Sequence, residues 1–121
     1  MIKITSSLTD IIMLEFESQT PQVIVFNFEV SDDNGNQIST GKGTLDNKNG
    51  TKSFALGKSA ALDGKYLDID WTEIDPQGTG ATFTVTATVI QNGEICEAVQ
   101  TFTGKSTDTS VSKSTSDQFK V

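Results

Sequence analysis

Histidine and arginine are absent from this 121-residue chain, and cysteine occurs only once. Without histidine, neither a Ser-His nor a Cys-His nucleophile pair can form, and a histidine-based metal site is excluded. The single Cys96 cannot form an intramolecular disulfide, which fits a reducing compartment. We therefore expect no enzyme activity and no cofactor, except that carboxylate side chains could bind calcium.

Basic residues are few. All nine are lysines, and the 16 acidic residues give a formal net charge of −7. Binding to nucleic acid needs clustered lysine or arginine at the phosphates and arginine at base edges, so nucleic acid is excluded as a partner. An acidic surface also repels anionic lipid head groups, which makes a membrane an unfavourable partner.

Long hydrophobic runs are also missing. The apolar segment near the N-terminus is short and is interrupted by Asp10 and Glu15. It matches neither a signal peptide nor a membrane span. The expected location is therefore the cytoplasm, or the exterior after release without an N-terminal signal peptide.

Alternation of apolar and polar residues is the dominant pattern, and Thr, Val, Ile and Phe fill it. It predicts strands at about 11–17, 22–31, 36–45, 52–57, 64–73, 81–91 and 94–104. The number and spacing of these strands predict an all-β fold: an antiparallel two-layer β-sandwich of seven to eight strands, immunoglobulin-like or jelly-roll-like. Residues 1–104 are expected to form this single domain, and 105–121 a Ser/Thr-rich tail or an exposed last strand.

Three Asn-Gly pairs predict tight hairpin turns, at 34–35, 49–50 and 92–93. The first turn places Phe28 opposite Gly41, where an aromatic ring can cover the bare glycine backbone. The second pairs Leu45 with Phe54 and so predicts a three-stranded meander over residues 22–57.

The third Asn-Gly turn gives the last hairpin a register. It pairs Phe83 with Phe102, Ala87 with Ala98, and Val89 with Cys96. Cys96 then belongs to the apolar face as a small buried hydrophobe. The other face carries Thr82, Thr84, Thr86 and Thr88. Four interpretations stay open for that threonine face: a solvent-facing β surface, a membrane-inserting hairpin, an ice-binding array or a protein contact.

Two ligand sites are suggested around strand 64–73. Four carboxylates could bind calcium at a sheet edge: Asp68, Asp70, Glu73 and Asp75. Tyr66 has the same parity as Asp68 and Asp70, so it could form a platform for a glycan, whereas the parity of Trp71 predicts a core position.

Two strands are apolar on both faces over a few residues. Ile11 and Met13 lie opposite the apolar face of their strand, and Val23 and Val25 do so on the next strand. Either residues 115–121 cover these side chains or a partner subunit does. The second alternative predicts a homo-oligomer.

The expected function is a non-enzymatic β-sandwich binding or assembly module that self-associates or serves as a subunit of a larger particle. Its partner is then a protein. One alternative is a membrane-active, pore-forming-like β protein. The other is a calcium-dependent, lectin-like domain that binds glycans.

Overall fold

Nine strands and one short helix make up the described part of the chain. The computed structural model describes residues 1–18, 23–46, 48–74, 82–105 and 110–121, with the backbone alone described for 97–105, 110 and 111. The elements are β1 (Ile2–Lys3), β2 (Ile11–Ser18), β3 (Val23–Ser31), β4 (Gln37–Leu45), β5 (Thr51–Lys58), α1 (Ser59–Leu62), β6 (Tyr66–Ile74), β7 (Thr82–Gln91), β8 (Glu94–Lys105) and β9 (Ser110–Lys120).

The strands form two packed sheets. The first sheet has the order β1-β9-β6-β3-β4 and the second sheet has the order β5-β2-β7-β8. All neighbours are antiparallel except β1 and β9. The all-β, two-layer sandwich that the alternation predicts is confirmed.

An aromatic cluster fills the space between the sheets. The ring of Phe16 in the second sheet stacks on that of Phe26 in the first, with centroids 3.9 Å apart and planes inclined by 21°. Trp71 meets Phe16 edge-on at 5.1 Å and is buried, as its parity predicts. Phe28 and Phe54 complete the cluster through edge contacts. Such tilted and offset contacts stabilise a pair beyond the area it buries.

The predicted register of β3 and β4 is confirmed. Phe28 lies opposite Gly41 and Phe26 lies opposite Gly43. A Cβ atom added at Gly43 would stand 2.8 Å from the Phe26 ring, and one added at Gly41 would overlap the Phe28 ring. The two glycines therefore leave the space into which the phenylalanine rings of the neighbouring strand fit.

The loop between β3 and β4 is organised by one carboxylate. Asp32 accepts hydrogen bonds from the backbone N–H groups of Asn34 and Asn36, both at 2.9 Å, and from the Asn36 side-chain amide at 3.1 Å. The bonds from Asn36 come first in lowering the pKa of Asp32 below its usual value of 3.8. Gly35 alone takes a positive φ here, so this is a longer Asx-type loop and not the predicted two-residue turn.

The predicted meander over 22–57 is wrong. β5 pairs with β2 in the second sheet, so the chain crosses from one layer to the other between β4 and β5. Gly50 lacks the positive φ that a type I′ turn requires. Asp46 instead accepts bonds from the backbone N–H groups of Lys48 and Asn49, both at 2.8 Å, and Ser18 donates its N–H to the Gly50 carbonyl.

The turn at 92–93 is as predicted, but the register beyond it is wrong. Asn92 and Gly93 both have positive φ, and the first pairs are Gln91 with Glu94 and Ile90 with Ile95. Two irregularities in the ladder then shift the pairing by one residue each, so that Val89 lies opposite Glu97 and Ala87 opposite Gln100. A β-bulge inserts a residue into one strand, which a regular two-residue count cannot anticipate. The predicted core positions in β7 are nevertheless buried: Phe83, Val85, Ala87 and Val89.

The strand β9 lies within the first sheet between β1 and β6. Phe119 is fully buried opposite Ile2, and the N-terminal ammonium group lies 3.0 Å from Asp117. The two ends of the described chain are therefore joined at one side of the sandwich.

Replacing Gly41 by alanine is expected to destabilise the fold by about 1–3 kcal/mol, because the added methyl group overlaps the Phe28 ring in a packed core. The sign of this change in the free energy of unfolding is informative, because Gly-to-Ala changes at compatible positions stabilise proteins by restricting the unfolded chain. Urea unfolding measures the change. Thr44→Ala, at an exposed position of the same strand, is the control; equal stability of the two variants would contradict the packing.

Replacing Asp32 by alanine is expected to lower stability in a pH-dependent manner. The pKa of Asp32 is lowered in the folded state, so its contribution is complete above about pH 3.8 and disappears as the pH falls through the folded-state value. The gap between the urea midpoints of wild type and Asp32→Ala should therefore narrow below pH 3.8. Asp33→Ala, one residue further and exposed, is the control, and a gap that widens in acid would contradict the assignment.

Candidate functional site

A row of apolar side chains crosses the outer face of the second sheet. The four residues are paired in register across all four strands and form what we call the apolar row: Ala55, Met13, Ile90 and Ile95. Ala55, Met13 and Ile90 lie on the face opposite the core, because side chains alternate along a strand and their neighbours point inward. Ile95 lies on the same face because it is paired with Ile90.

The apolar row is accessible to solvent. Ile95 is 70 % exposed at one end, Ala55 is exposed at the other, and Met13 and Ile90 between them are half-buried. Ile11 precedes Met13 on the same face of β2 and is 42 % exposed. Scattered surface isoleucines are ordinary, whereas here several apolar side chains adjoin one another on one face of the sheet.

A polar row borders the apolar row on one side. It consists of Ser53, Glu15 and Thr88, which are paired across β5, β2 and β7. The Ser53 hydroxyl donates a long hydrogen bond of 3.4 Å to Glu15. The next residue outward on β2 is Glu17, so the face changes from apolar to acidic and hydroxylated along the strands.

Two local features set the position of the apolar row. The Asn92-Gly93 turn fixes Ile90 opposite Ile95. On the other side, β5 bulges where Ile12 pairs with Gly57 and Met13 pairs with Ala55, and Gly57 adopts the positive φ of 136° that glycine tolerates.

The four residues predicted as an interface do not form one surface. Ile11 and Met13 lie on the outer face of the second sheet, whereas Val23 and Val25 lie on the outer face of the first. Of the two alternatives for covering these residues, cover by residues 115–121 is not found, because β9 lies beside β6 within the first sheet and turns Phe119 into the core. An interface at these residues stays a prediction.

Three members of the row were not predicted from the sequence: Ala55, Ile90 and Ile95. A signal for two of them was available, because the Asn-Gly turn pairs Ile90 with Ile95 on the face away from the core. Ala55 could not be found, since its place depends on the pairing of β5 with β2.

The predicted calcium ligands are divided between two faces of β6. Asp68 and Asp70 point outward, whereas Glu73 is fully buried on the inner face. Asp70 accepts a hydrogen bond from the Ser114 hydroxyl, and Asp75 lies outside the described residues. In the described ranges, no three acidic, cysteine or histidine side chains lie close enough to hold a metal ion. The fold does not group Glu73 with the two aspartates, and calcium binding stays a prediction.

Tyr66 lies on the outer face of β6, half-buried, two positions before Asp68. Its strand neighbours are Ser31 and Gln118. No second aromatic side chain shares this face of β6, because Trp71 is directed into the core. Glycan binding through Tyr66 also stays a prediction.

A cleft of about 310 Å³ lies beside the β7–β8 turn, with Lys3 and Cys96 among the residues that line it. Several of its polar residues are joined to one another by hydrogen bonds. The buried Gln91 side chain accepts from the Thr5 N–H at 2.9 Å and donates to the Thr5 carbonyl at 2.7 Å and to Asp10 at 3.0 Å. Gln91 thus pairs with the N-terminal segment as a neighbouring strand would. These hydrogen bonds attach that segment to the end of β7.

Cys96 packs against the core and is partly buried. Burial, followed by the nearby Glu94 carboxylate, raises the pKa of its thiol above the ordinary value of 9.0. A nucleophilic cysteine needs the opposite shift, because the thiolate is the reactive species. The thiol therefore contributes packing at the edge of the core.

No protein-family model, no curated protein and no solved structure matches the chain. Within the described ranges no helix is long and apolar enough to cross a membrane.

Alkylation of Cys96 by iodoacetamide at pH 8 is expected to be slower in the folded protein than in the same chain unfolded in urea. The raised pKa leaves a smaller thiolate fraction, and partial burial restricts access. Mass spectrometry of quenched samples measures the rate. Faster reaction in the folded protein would contradict the assigned environment of the thiol.

Proposed function

We propose that this protein is a non-enzymatic binding or assembly module that self-associates, alone or as a subunit of a larger particle, through the outer face of its second sheet. The apolar row carries the proposal. Burying a large apolar side chain is worth about 1.5–3 kcal/mol, and the row keeps Ile95 largely in water in the single chain.

The composition supports a binding role over a chemical one. The chain has no histidine, and its one thiol is partly buried beside a carboxylate. The groups that would activate a nucleophile are therefore missing from the sequence or oppose the chemistry.

The charge of the chain limits how strong the association can be. Two copies at −7 each repel one another over a Debye length of about 8 Å at physiological ionic strength. The apolar row contains no ionisable side chain, so salt weakens the repulsion without weakening the contact. Self-association should be studied at high protein concentration and elevated salt.

Light scattering at high concentration is expected to give a mass above that of one 13.0 kDa chain. Ile95→Glu should weaken the association at least tenfold, because it removes the most exposed side chain of the row and inserts a charge that must be desolvated.

Ile38→Glu is the matched control. Ile38 is 46 % exposed and lies on β4 of the first sheet, so the same change in charge and size is made away from the row. A wild-type mass of one chain at every concentration, or equal effects of the two variants, would overturn the proposal.

A further inference from the structure

The size order of the apolar row determines how two copies would fit. In order across the sheet the row consists of Ala55, Met13, Ile90 and Ile95, so a small side chain stands at one edge and a large, mostly exposed one at the other. Two copies of such a row are complementary only if they face one another in opposite order.

We propose that two copies of this chain pack second sheet against second sheet, about a two-fold axis that runs parallel to the strands between β2 and β7. This inference rests on the proposed function and names its partner as a second copy. A two-fold contact is the commonest form of self-association and brings the same patch of each copy together.

The axis exchanges β2 with β7 and β5 with β8. Ile95 of one copy then lies over Ala55 of the other, and Met13 lies over Ile90. The exposed isoleucine fills the space above the alanine at both edges, while the two half-buried side chains meet at the centre. Every position of the row is thus covered by an apolar side chain of the other copy.

The polar row fits the same axis. Glu15 of one copy lies opposite Thr88 of the other, since the two residues are paired within each sheet. A hydroxyl can donate to a carboxylate, so the acidic group keeps a hydrogen-bonding partner in the contact. The next pair, Glu17 and Thr86, behaves in the same way.

The other symmetric arrangement has its axis along the apolar row. Each residue of the row then faces its own copy, so that Ile95 meets Ile95 while Ala55 meets Ala55 across a gap. It also turns Glu15 toward Ile11, because these residues lie at equal distances on either side of Met13. A carboxylate buried against an apolar side chain is costly, and this arrangement is disfavoured.

The area of the face sets the strength of the contact. Four strands spaced about 4.8 Å apart and about 26 Å long, the length of the eight-residue β2, give a face of about 500 Å² on each copy. The pair buries about 1,000 Å² in total, which is the lower limit for a specific interface. The dimer is therefore expected to be weak and to form at high concentration.

Exchanging the small and the large side chain at the two ends of the row tests the direction of the two-fold axis. Ala55→Ile should lower the association constant of the dimer at least tenfold, because two isoleucines then compete for one space. Adding Ile95→Ala to this variant should restore the association constant to within about threefold of the wild-type value. Ala61→Ile, at an exposed position of α1, is the control for non-specific association caused by an added apolar surface side chain. Sedimentation equilibrium measures the association constants of the dimers, and circular dichroism checks that each variant is folded.

The rejected arrangement, with its axis along the apolar row, predicts the opposite result for Ala55→Ile. With the axis along the row, Ala55→Ile fills the gap between two alanines and strengthens the dimer. If the association constant of the dimer rises or is unchanged in Ala55→Ile, the inference is overturned and the proposed function still stands. A monomeric wild type overturns both.

Cross-linking at high protein concentration gives a second measurement, which reports which residues face one another. In a Cys96→Ser background, a mixture of Ala55→Cys and Ile95→Cys chains should be joined by a thiol cross-linker that spans the about 10 Å between facing sheets. Ala55→Cys chains alone should not be joined, because the axis places these residues at opposite edges. Efficient joining of Ala55→Cys to itself would contradict the axis.

Discussion

The stacking of Phe16 on Phe26 is the contact on which the rest of the sandwich depends. The two rings belong to consecutive strands in different sheets, and their centroids are 3.9 Å apart. This contact sets the separation of the layers at the centre of the core, and Trp71 packs edge-on against it. It also makes the two glycines of β4 necessary, because the rings of Phe26 and Phe28 extend over the neighbouring strand. One aromatic pair thereby constrains β2, β3, β4 and β6.

The outer surface follows from the same contact. Once Phe16 points inward, alternation directs Ile11, Met13, Glu15 and Glu17 outward along β2. The core does not require those outward positions to be apolar, and Thr88 on the neighbouring strand shows that a hydroxyl is compatible with this face. Met13, Ile90 and Ile95 are therefore apolar at positions where the core does not require it, and the proposed contact between molecules starts from this observation.

Local patterns predicted the elements and the inner face well, but not the long-range pairing. Alternation placed β2 to β8 within one or two residues but did not predict β1, and the position of Asn34-Gly35 predicted the β3–β4 register, since both depend on neighbouring segments. The route from β4 into the second sheet could not be predicted, because Asn49-Gly50 indicates a turn without stating which strand follows it. The bulges in β8 have no signature in an alternating sequence. The apolar row depends on both features, so only part of it was accessible.

The sheet edges explain why association should use a face. Exposed edge strands pair readily with other chains, and proteins protect them with lysines, bulges and short strands. Here β1 has two residues, β4 carries Lys42, β5 carries Lys52 and Lys58 beside a bulge, and β8 is bulged twice. An added strand would meet these irregularities at every edge and would align poorly. The regular, uncharged row of the second sheet has no such protection, and a two-fold contact there closes on itself after two copies, whereas pairing at edges could continue without limit.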